Sequence, residues 1–127
     1  MKLLQLIENE VTFGAPTHTN MLLDLTLKEV VDAGGVTNNY QILAIARVAG
    51  FFKNGLKSAD LNLNGPVTYG DESTTEASRA AIEALSGPEQ ARLAQYLLDC
   101  IAAGESMLHH SCNNTAEWIR FVLQKQD

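Results

Sequence analysis

The sequence is short of almost every signature by which chemistry is read from residues alone. It has no glycine-rich phosphate loop, no G-x-S-x-G turn, no HExxH pair and no paired CxxC. Their absence argues against a phosphate-cradling loop, a nucleophile elbow and the commonest zinc sites. Cysteine is scarce, with only Cys100 and Cys112, which predicts reduced, mostly buried thiols rather than a disulfide framework. Positive charge is thin as well: nine Lys and Arg face fifteen Asp and Glu, for a formal charge of -6 and a pI near 4.9. A nucleic-acid or anionic-membrane surface needs a positive footprint, so neither is expected as a partner. Nowhere do the about 20 consecutive apolar residues of a membrane helix occur. The opening MKLLQLIENEV meets Glu8 and Glu10 too soon to hold a signal-peptide core. The expectation is a cytoplasmic chain.

What is present is helical punctuation. The 127 residues are 46% hydrophobic and 19% charged, which fits one domain over 1–127 with a sizeable core. Its centre is predicted at residues 40–52, YQILAIARVAGFF, interrupted only by Gln41, Arg47 and Gly50. A run without a polar face reads as a helix buried nearly all round. Asn38 and Gln41 are placed to satisfy each other's helix-start amides, and Gly55 to close the last turn in a left-handed cap. Ala46, Ala49, Gly50 and Lys53 form a stripe that lets a neighbouring helix approach.

Further helices follow from the same signals. One is expected over 2–10. Another runs from about 20 to 33, capped by Thr19 and ended by Gly34-Gly35, with Leu22, Leu23, Leu25, Leu27, Val30 and Val31 as core members. Ser73 and Glu76 open a helix to about 85 that buries Ala77, Ala81, Ala84 and Leu85. Ser86 and Glu89, with Pro88 in the first turn, open the next, which turns Leu93, Leu97 and Ile101 inward and Arg92, Gln95 and Asp99 outward. Gly104 can end that helix, or the phase of Leu97, Ile101, Gly104 and Leu108 can carry it on to His109 or His110. Asn114 and Glu117 open the last helix over 115–125, which buries Trp118, Ile119 and Val122. The exception lies at 56–72, where Leu61, Leu63, Val67 and Tyr69 alternate around Asn64-Gly65, a pattern for either a small β-hairpin or an ordered loop, with Pro66 counting against pairing. The predicted fold is all-α: a compact bundle of five or six helices around 40–52.

Three features bear on function. Glu105, His109, His110 and Cys112 cluster in sequence, and Glu105 and His109 share a face if the helix continues. Zinc accepts such a mixed set, which makes a metal-dependent enzyme or metal sensor one alternative. The spacing matches no paired motif, however, and helix-terminal histidines are favoured by the local dipole without any ligand. A thiol–histidine pair would also need an orienting third group that sequence adjacency does not supply. The second feature is acidity: Asp71, Glu72, Glu76, Glu83, Glu89, Asp99 and Glu105 face only Arg79 and Arg92 over 71–105. Such a surface suits a partner with a basic surface, since charge complementarity speeds association and excludes wrong partners. The third is the loop from Asn62 to Tyr69, where Tyr69 offers an aromatic anchor. The leading expectation is a small non-catalytic inhibitor, immunity or adaptor protein that needs no cofactor. It would cover a site on its partner through Tyr69, Asp71, Glu72, Glu76, Glu83 and Glu89. A structural subunit of a homo-oligomer, joined through the alanine-rich helix 74–85, is the other alternative.

Overall fold

Apolar side chains on every face of residues 40–52 leave that helix no stable position except the middle of the molecule, and the computed structural model, which describes residues 22–64, 76–108 and 111–126, places it there. Five helices are described: α1 Leu23–Ala33, α2 Asn39–Lys53, α3 Glu76–Glu83, α4 Gly87–Ala103 and α5 Thr115–Lys125. α2 touches each of the other four, α1 packs most extensively on α4, and α3 packs on α5. The described residues therefore form an all-α bundle, and no strand occurs among them.

Twelve of the fifteen residues of α2 are buried. Asn38 caps it by accepting from the Gln41 amide at 2.9 Å. The reciprocal half differs from expectation: the Gln41 side-chain carbonyl accepts from the Thr37 amide at 2.7 Å, one residue earlier than the Asn38 amide. At the other end Gly55 is left-handed at φ 75°. Its amide donates to the Phe52 carbonyl and that of Leu56 to the Phe51 carbonyl, a Schellman closure.

α1 starts at Leu23, later than predicted, and its Leu22 cap position has no side-chain hydrogen bond. The Leu23 amide instead donates to the Leu63 carbonyl at 2.8 Å, so a loop satisfies a donor that a capping side chain would otherwise have to meet. Thr19, and the helix predicted over 2–10, lie outside the described residues. Leu22 and Leu25 are 40% and 53% exposed, which corrects their assignment to the core. The buried face is Leu23, Thr26, Leu27 and Val30.

α3 ends at Glu83, two residues before the predicted end, and its buried face is turned by one position. Ser78, Ala81 and Ile82 are buried, while Ala77 and Ala84 are exposed and Leu85 is half-buried. Ile82 has more apolar surface to lose than any alanine, so it sets the phase. Ser73 lies outside the described residues. In the 56–72 segment a 3₁₀ turn at Ser58–Asp60 precedes Leu61, which enters the core. Asn62 then accepts from the Asn64 amide at 3.1 Å, and residues 65–72 lie outside the described residues.

α4 has the full reciprocal capping box of Ser86 and Glu89. It ends at Ala103, with Gly104 left-handed at φ 90° and donating to the Cys100 and Ile101 carbonyls. A side chain at that φ would be strained, so the continuation toward His109 is corrected to a stop. Beyond it, Tyr96 Oη accepts from the Leu108 amide at 3.0 Å while Ser106 Oγ donates to the Leu108 carbonyl at 2.9 Å. These bonds hold the returning chain against α4. Burial pushes the Tyr96 phenol above its ordinary range.

One buried group lacks compensation. Asn39, at the first turn of α2, is 2% exposed, and neither its amide nitrogen nor its oxygen has a hydrogen-bond partner among the described residues. An uncompensated buried amide costs about 1–3 kcal/mol. Asn39→Leu, of similar size, is expected to stabilise the protein by roughly that amount. Urea unfolding should show the midpoint rising at unchanged slope.

Candidate functional site

The acidic residues predicted for the surface are divided by the fold. Glu76 and Glu83 stand seven residues apart on the exposed outer side of α3, opposite its buried face. Glu76 sits in the first turn, where the helix dipole favours a carboxylate. Glu83 accepts from Arg79 Nε at 2.9 Å, so part of its charge is balanced within the helix. Asp99 lies on the exposed side of α4 and accepts from Gln95 Nε2 at 3.0 Å. Glu105 lies past the end of α4, in a separate hollow of about 360 Å³ shared with Lys57 and Ser58. Tyr69, Asp71 and Glu72 lie outside the described residues.

Glu89 has a double position. One carboxylate oxygen accepts from the Ser86 amide at 2.9 Å, which completes the α4 cap. That bond, the Ser86 hydroxyl and nearby Arg92 hold its carboxyl below the usual range. Because the folded state lowers this pKa, the cap is intact above the unfolded carboxylate range and weakens as pH falls through the lowered one. The same residue also borders a groove.

That groove, of about 460 Å³, runs between α3 and α5 and is closed at one end by the start of α4. From the end of α3 and the turn after it come Ala81, Ala84 and Leu85, at spacings of three and one; from α5 come Arg120, Leu123 and Gln124 in the same rhythm. Both sets follow the spacing of a single helix face. Ala81 and Leu123 are buried beneath it, whereas Ala84, Arg120 and Gln124 are exposed along its edge. The alanines create it, since longer side chains at 81 and 84 would fill the space between the two helices. Nothing local in the sequence joins the outward-facing Arg120 and Gln124 to α3. The available signal was the matching three-and-one spacing of 81, 84, 85 and 120, 123, 124.

The residues proposed as metal ligands are not gathered on a helix. With α4 ended at Ala103, Glu105 lies outside any helix, and the one-turn relation to His109 is lost. His109 and His110 lie outside the described residues. Cys100 and Cys112 are free thiols, the first buried and the second half-buried. Burial, followed by Glu117, pushes the Cys112 thiol up against an opposing pull from Lys53. A raised pKa lowers the thiolate fraction needed for metal binding or nucleophilic attack. Among the described residues no group of three or more His, Cys, Asp or Glu is arranged to hold a metal. No helix among them is long and apolar enough to cross a membrane. Comparison of the chain with protein-family models, with curated proteins and with solved structures gives no match.

Proposed function

We propose that this chain is a non-catalytic protein-binding domain, an inhibitor, immunity or adaptor protein, whose contact surface comprises the outer face of α3 and the groove beside it. The observation that carries the reading is the 460 Å³ groove with an apolar floor and the charged Glu89 and Arg120 at its edges, together with the exposed Glu76 and Glu83 on the outer side of α3. A floor of this kind gives an anchoring side chain a desolvated seat, and the flanking charges select and orient the partner. The partner presents a basic surface to the α3 carboxylates. Its mechanism is steric: a rigid helical face covers a site on the other protein and needs little rearrangement to do so.

The charge component has its own test. Glu76→Lys with Glu83→Lys is expected to slow association and reduce its salt dependence, with a loss of about tenfold or more in affinity at low ionic strength. Glu89 is left out of that variant because its reversal would also break the α4 cap. Stopped-flow association at two salt concentrations provides the measurement, and unchanged rates would remove the acidic face from the binding surface.

A further inference from the structure

We draw no further inference here: the strongest candidate, the exposed apolar patch that Leu22 and Leu25 form at the start of α1, carries nothing because nothing in the structure shows what covers it.

Discussion

Replacing Gln90 by alanine is expected to lower folding stability by about 1–3 kcal/mol, because it leaves the Val36 amide without a partner and the Ile82 carbonyl with only the Leu85 amide. Gln90 Nε2 donates to the Ile82 carbonyl at 3.0 Å, and its Oε1 accepts from the Val36 amide at 2.9 Å. One buried side chain therefore ties the α1–α2 joint and the end of α3 to α4. The backbone at this crossing has no slack. A Cβ on Gly87 would meet the Gly34 carbonyl oxygen at 2.7 Å, and one on Gly35 would meet the Gly87 Cα at 2.9 Å. Collapse around a truncated Gln90 is thus restricted, and the stranded Val36 amide cannot readily find a new partner. Against a usual total of about 5–15 kcal/mol, such a loss is a large share. Gln90→Glu provides a sharper control. It keeps an acceptor for Val36 but loses the donor to Ile82 and places a charge where desolvation is costly. Its urea midpoint should fall at neutral pH and recover partly on acidification, when a protonated carboxyl can donate again.

Trp118→Ala is expected to cost roughly 3–5 kcal/mol and to loosen both α5 and the chain that follows α4. The indole is 1% exposed. Its ring lies 6.0 Å from that of Tyr96 at an interplanar angle of 54°, and Tyr96 in turn holds the Leu108 amide. Removing the indole opens a cavity beside the phenol, so the loss reaches the Ser106–Leu108 segment as well as the core. Trp118→Phe keeps most of the apolar area and should cost less. Amide hydrogen exchange distinguishes local from general loss: faster exchange at Leu108 together with α5 is expected, and an effect confined to α5 would show that the two are uncoupled.

The parts of the fold legible in sequence are those where several local signals coincide. α2 was readable because an apolar run, the Asn38 cap and Gly55 agree on its limits; α4 and α5 were readable because capping residues stand at fixed spacing before a clear apolar phase. α1 was less so, since leucines at 22, 23, 25 and 27 suit several faces and only packing decides that 23 and 27 are inside. In α3 the alanines carry too little apolar surface to fix a phase, and Ile82 settled it. Gly104 was ambiguous because apolar phase and glycine stop compete there; the left-handed cap prevailed and separated Glu105 from any helical relation to His109. Tertiary links lay beyond sequence reading. Nothing local marks Gln90 as the partner of Val36, 54 residues away. The candidate surface was half legible for the same reason. The carboxylates of α3 could be named, but the groove depends on which alanine faces α5 and on where Arg120 stands once the helices have packed.

Native mass spectrometry of this protein, isolated gently from its own host at natural abundance, tests the central claim most directly. The expected result is a stable heteromeric mass that dissociates as salt is raised and is diminished in the Glu76→Lys, Glu83→Lys protein. A monomer carrying a stoichiometric metal that is lost with chelator, or a homo-oligomer with no second component, would contradict it.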